Sequence, residues 1–151
     1  MEKNEFLRYS GNYFKNYGFE KIGSRYYLNS NENVLLCEVY LQKSFGNECF
    51  YVNFCFFIGN FQKPYAIDRI SMKTYTPFVD FRFYFPETGL WWCPYPEYDQ
   101  ARLFKAFDYN MQKFVFPALE HGRRYLLARF NISYYSILSD DRIIQALSEQ
   151  N

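Results

Sequence analysis

A chain of 151 residues, 49% hydrophobic and 22% charged, is long enough to bury a core without disulfides or a metal and too apolar for intrinsic disorder. Seventeen basic residues against 16 acidic ones leave a net charge of +1. No basic stripe is visible, which argues against nucleic acid as a partner, because phosphate neutralisation dominates that affinity.

Residues 3–17 read as a helix with Phe6, Ser10, Tyr13, Phe14 and Tyr17 along one stripe, interrupted by Gly11. Gly18 suits the left-handed position past its end, with Phe19 folding back on the last turn. Residues 21–29, 33–43 and 48–58 read as strands, the last two joined by Ser44-Phe45-Gly46-Asn47 as an antiparallel hairpin. The segment 60–77 carries a poor strand pattern near 67–72, and 79–85 alternates as a further strand. A loop from Pro86 to Pro96 holds Trp91 and Trp92. Residues 98–116 read as a long helix with Leu103, Phe107, Met111, Phe114 and Ala118 on one face. Pro117 marks either a kink or the first turn of a new helix. Helical pattern returns at 123–130 and again from Ser139, an N-cap followed by Asp140 and Asp141.

The order of helix, antiparallel strands and then helices predicts one α+β domain over 1–151. Its antiparallel sheet has four to five strands and carries the helices on one face. Aromatic residues are 24% of the chain, with 16 Tyr and 18 Phe, so the core is aromatic and there is more Tyr than a core needs. Met1-Glu2-Lys3-Asn4-Glu5 holds no apolar signal core, and the longest apolar run, 54–58, is too short for a bilayer. The expectation is a cytoplasmic protein with no membrane partner. Cys37, Cys49, Cys55 and Cys93 show no C-x-x-C spacing, so zinc or another metal is not expected and the thiols read as reduced.

Strand parity separates the sheet's two faces. Phe50, Val52, Phe54, Phe56 and Ile58 belong with Leu35, Cys37, Val39 and Leu41 on the helix side, with Val79, Phe81, Phe83 and Phe85. The far face then carries Arg25, Tyr27, Glu38, Tyr40, Gln42, Tyr51, Asn53, Asp80, Arg82 and Tyr84. A four-residue loop pairs Lys43 with Glu48, which sets Tyr40 opposite Tyr51 and Glu38 opposite Asn53. Tyr and Arg with a few amides is the composition of recognition surfaces, and it is equally what a solvated antiparallel face carries.

Other chemistry is thin. His121 has no nucleophile near it in sequence and reads as a helix-end residue. Glu38, Asp80 and Arg82 would meet on the sheet face as an acid–base set only if burial split the carboxyl pKa values; an arginine there favours a plain ion pair. No G-x-G-x-x-G or P-loop is present, so no nucleotide cofactor is expected. Arg123, Arg124 and Arg129 form a small basic cluster that reads as a solvated helix face. Trp91-Trp92-Cys93-Pro94-Tyr95 is either a ligand wall or partner hot spot, or a loop closing the core.

Several segments together carry a resemblance. They are Tyr17-Gly18-Phe19-Glu20-Lys21, Arg25-Tyr26-Tyr27, Leu41-Gln42-Lys43-Ser44 and Phe50-Tyr51-Val52-Asn53, followed by Trp91-Trp92 and Phe116-Pro117-Ala118-Leu119-Glu120. With these the chain resembles a bacterial family known as domain of unknown function 4304. The resemblance implies an α+β domain with no assigned activity, so no catalytic residue and no cofactor comes with it. The family's Gln and Asn correspond to Gln42 and Asn53, and the segment 60–77 is less typical of it.

The sequence therefore points to a binding protein, not a catalyst: a protein-interaction module, of the toxin-neutralising or immunity type, using the polar and aromatic sheet face. Two alternatives stand beside it. One is a small-molecule binder with Trp91, Trp92 and Tyr residues around a pocket. The other is an enzyme built on Glu38, Asp80 and Arg82.

Overall fold

The first helix, α1 (Lys3–Asn16), begins where Glu5 accepts the backbone N–H of Glu2, and it ends in a left-handed Gly18 at φ 88°. Gly18 donates to the Lys15 carbonyl and Phe19 to the Phe14 carbonyl, both at 3.0 Å, while the Phe19 ring folds against Phe14 as the sequence predicts. Phe6, Ser10, Tyr13 and Phe14 form the buried stripe. Tyr17 is exposed instead, with its hydroxyl donating to Asp108. Gly11 has a packing reason: a Cβ there would stand 2.9 Å from the Tyr26 hydroxyl, so glycine lets the helix lie close on the sheet.

The computed structural model describes residues 1–31, 35–59, 61–63 and 77–122. Five antiparallel strands form one sheet in sequence order: β1 (Glu20–Ile22), β2 (Arg25–Asn29), β3 (Leu35–Lys43), β4 (Phe50–Ile58) and β5 (Pro77–Arg82). The single strand expected over 21–29 is a hairpin, because Gly23 at φ 61° reverses the chain between Ile22 and Arg25. The last strand also differs from 79–85. It starts at Pro77, carries a bulge where Cys55 faces Asp80 and Phe56 faces Phe78, and ends at Arg82. The expected strand near 67–72 and the helices after residue 122, with Arg123, Arg124 and Arg129, lie outside the described residues.

The β3–β4 register needs a correction. Tyr40 faces Asn53, Glu38 faces Cys55 and Gln42 faces Tyr51. Ser44 still pairs with Cys49 through a 3.0 Å backbone bond, so the four-residue loop is 45–48, one residue later than expected. Moving the loop by one residue shifts the pairing by two. Every side chain therefore keeps its face and changes only its neighbour.

After β5 a 3₁₀ turn (Tyr95–Glu97) leads to α2 (Gln100–Asn110), where Asp99 accepts the N–H of Arg102 at 2.8 Å as N-cap. The helix expected over 98–116 is broken at Asn110 into a π turn (Met111–Val115), followed by α3 (Phe116–His121). Pro117 falls in the first turn of α3, where a missing N–H costs little. Both long helices cover the predicted sheet face. Phe14 stacks on Phe107 at 5.2 Å, Phe107 meets Phe83 at 5.7 Å, and Phe83 meets Phe54 at 5.6 Å. This run of rings is the centre of the core, and such pairs add roughly 0.5–1.5 kcal/mol each beyond their burial.

Candidate functional site

The far face of the sheet divides into two ends. At one end the register lines up Tyr27, Glu38 and Cys55 across β2, β3 and β4. Glu38, only 4% exposed at its side chain, accepts the Tyr27 hydroxyl at 2.7 Å and Arg25 Nη1 at 2.5 Å, with Cys55 Sγ at 3.7 Å. Leu36, Phe57 and Phe61 close around Tyr27 and Cys55 as a second apolar cluster. Phe61 is anchored by its carbonyl, which accepts Asn29 Nδ2 at 2.9 Å. Burial, and then the bond to Glu38, push the Tyr27 pKa far above its ordinary value. Partial burial works against the Arg25 charge, but Glu38 outweighs it and raises its pKa.

This end corrects the expectation of an open face: Tyr27 and Glu38 are buried, as is Asn53 beneath the other end. It also separates the acid–base set. Glu38 is paired with Arg25, Arg82 goes elsewhere, and Asp80 faces Cys55 one strand beyond it. Glu38 and Asp80 thus stand two strand spacings apart, about 10 Å between backbones.

The other end stays open. The register lines up Tyr40, Asn53 and Arg82 across β3, β4 and β5, with Gln42 opposite Tyr51 beside them. Asn53 spends both ends of its amide here: Nδ2 donates to Gln42 Oε1 at 3.1 Å, and Oδ1 accepts Arg82 Nε at 3.3 Å. That second bond holds the Arg82 guanidinium 4.0 Å over the Tyr51 ring. On the opposite side of the face, Arg25 lies 4.5 Å over Tyr40. Arg25, Gln42 and Arg82 are exposed, and Tyr40 and Tyr51 are half-buried. Among the described residues no carboxylate pairs with Arg82. Two arginines thus lie over two tyrosine rings, and a guanidinium held over a ring still has N–H donors suited to carboxylates.

Tyr84, Trp91 and Trp92 lie elsewhere. Phe83 donates the last ladder bond to Val52 at 2.8 Å, and the chain then leaves the sheet. The backbone of Tyr84 is taken up by Asn110, whose Oδ1 accepts its N–H at 2.8 Å and whose Nδ2 donates to its carbonyl at 2.6 Å. The Tyr84 ring packs on Trp91 at 4.9 Å and faces Tyr109 of α2 at 6.2 Å, so it is not part of the far face. Trp91 and Trp92 are 45% and 37% exposed. The same loop also closes the core, since Cys93 pairs with Phe50 as an isolated bridge and is fully buried with Tyr95 close behind. The core-closing reading thus holds for Cys93 and Tyr95, while Trp91 and Trp92 stay partly exposed.

Asn110 escaped the sequence reading, although its signal was present. It stands seven residues after Leu103 and three after Phe107, a polar residue on the apolar stripe of the helix, which demands a buried partner. Asp108 likewise ties α1 to α2 by accepting the Tyr13 hydroxyl at 2.6 Å. His121 is exposed at the end of α3, 3.9 Å from Glu120. Among the described residues no three His, Cys, Asp or Glu side chains gather as a metal would require, and no helix is long and apolar enough to cross a membrane.

The family model called domain of unknown function DUF4304 matches residues 10–121, from the middle of α1 to the end of α3. The chain belongs to the DUF4304 family. That stretch contains the whole described sheet and both ends of its far face, so the candidate residues belong to the family domain itself. The DUF4304 description assigns no activity, and no catalytic role transfers to any residue. No curated protein and no solved structure matches the chain.

Proposed function

We propose that this DUF4304 chain is a protein-binding module whose docking surface is the open end of the far sheet face. The observation that carries this reading is the pair of Arg–Tyr stacks, Arg25 on Tyr40 and Arg82 on Tyr51, fixed from below by buried Glu38 and Asn53. Rings and guanidinium groups already held in place lose little freedom on binding, and Tyr and Arg supply most interface hot spots. The free edges of Arg25 and Arg82 suit a partner that offers carboxylates. Phe45, fully exposed on the adjoining β3–β4 loop, would extend the contact toward the roughly 1,600 Å² of a standard interface.

The test is affinity capture from a lysate of the source cell, with the wild-type chain beside the Tyr40→Ala, Arg82→Glu double variant, both checked for unchanged melting. A stoichiometric protein retained by the wild type and lost with the variant is the expected result. Retention of the same proteins by both would refute the sheet face as the docking surface.

A further inference from the structure

A concave surface lies on the helix side of the sheet. The turn after Phe85 and the outer face of α2 enclose a groove of about 460 Å³ lined by Pro86, Glu87, Arg102, Lys105, Ala106 and Tyr109. That volume is in the range of small-molecule sites. The small-molecule alternative set a pocket among Trp91, Trp92 and Tyr residues; Trp91 and Trp92 do not line this groove, whereas Tyr109 does.

The charges in the lining are unequal. Arg102 is fully engaged: Nε and Nη2 bond Glu87 at 2.8 Å each, Nη1 donates to the Glu97 carbonyl, and the guanidinium lies 4.9 Å over Tyr98. Arg102 and Glu87 therefore offset each other's charge on one wall of the groove. Lys105 is exposed and has no acidic partner among the described residues. Among the described lining residues its ammonium is the one charge without an opposite partner, and Pro86, Ala106 and Tyr109 line the same groove. The Tyr109 hydroxyl is itself engaged, accepting Lys113 Nζ at 2.9 Å, so the ring is steadied in position.

The geometry points to a binding site for a small aromatic carboxylate, with its ring against Pro86, Ala106 and Tyr109 and its carboxylate on Lys105. An uncharged aromatic would leave the ammonium without a partner, and a bare inorganic anion would leave the apolar walls unused. The site is independent of the docking face, which lies across the sheet.

Phenylacetate is a suitable probe, with phenylacetamide as its neutral counterpart, read by backbone amide shifts in two-dimensional NMR. A ligand of this size is expected to saturate with a Kd on the order of 1 mM. The largest shifts should fall at Lys105, Ala106 and Tyr109. Phenylacetamide, and phenylacetate with the Lys105→Ala variant, should each bind about fivefold more weakly, the size of one partly screened ion pair. Lys105 is exposed, so the variant should melt as the wild type does. The Arg82→Glu variant should bind phenylacetate normally, which separates this site from the docking face. Failure to saturate, equal binding of the acid and the amide, or shifts mapping to another surface would each overturn the assignment.

Discussion

The two ends of the far sheet face lie on overlapping strands with the same alternation and nearly the same residue types, yet one is core and the other surface. Around Glu38 the polar groups are enclosed by Leu36, Phe57 and Phe61 and consume one another's hydrogen bonds. Around Asn53 a comparable polar set holds arginine and tyrosine out toward solvent. The comparison teaches that alternation assigns a face, whereas exposure depends on what the rest of the chain lays over it. Buried Glu38 is tolerable because it is paired and bonded on both oxygens.

Truncations along β4 should expose the contrast most strongly. Phe57→Ala, at the closed end, is expected to cost about 3 kcal/mol in chemical denaturation, while Tyr51→Ala, on the same strand and face, should cost less than about 1 kcal/mol. Equal losses would abolish the distinction between the ends. Glu38→Ala should follow at about 2 kcal/mol, because it strands the buried Tyr27 hydroxyl while half-exposed Arg25 can turn to water.

Tyr27→Phe should cost about 1 kcal/mol at neutral pH and also reshape the alkaline limb. The Tyr27 and Tyr13 pKa values are raised in the folded state, chiefly by burial and then by their bonds to Glu38 and Asp108. The unfolded chain gives up these protons near pH 10 while the folded chain keeps them. Their contribution is thus whole below about pH 10 and declines as the pH climbs above it. Denaturation midpoints from pH 8 to 11 should fall less steeply for Tyr27→Phe than for the wild type. The smallest effect belongs to the open end: Arg82→Ala should change stability by no more than about 0.5 kcal/mol while weakening partner capture. A large loss of stability there would make the Arg82–Tyr51 stack a structural element and not a docking one.

Much of the architecture could be read from residue order. The α1 stripe from Phe6 to Phe14, the Gly18 stop with Phe19 folded back, and the inward parity of Phe50, Val52, Phe54 and Phe56 appear as expected, with Tyr17 the exposed exception. These features depend on contacts within a few residues and on a repeat of two or 3.6. The errors share a different origin. The hairpin at Gly23, the later loop that moved Tyr40 opposite Asn53, and the early end of β5 each depend on which of several permissible turns the packing selects. A register shift of two leaves the hydrophobic pattern unchanged, so the pattern could not detect it.

The candidate site followed the same division. Local alternation was enough to gather Arg25, Tyr40, Gln42, Tyr51 and Arg82 on one face, because neighbouring strands must present alternate residues to the same side. Alternation could not show that Tyr27, Glu38 and Asn53 would be sealed among their neighbours, nor that Tyr84 would leave the sheet for Asn110 and Trp91. Periodicity is a property of the backbone and is written residue by residue. Burial and partner choice arise when distant segments such as Phe61 and α2 arrive, and the desolvation and pairing energies that decide them exist only once those segments are in contact.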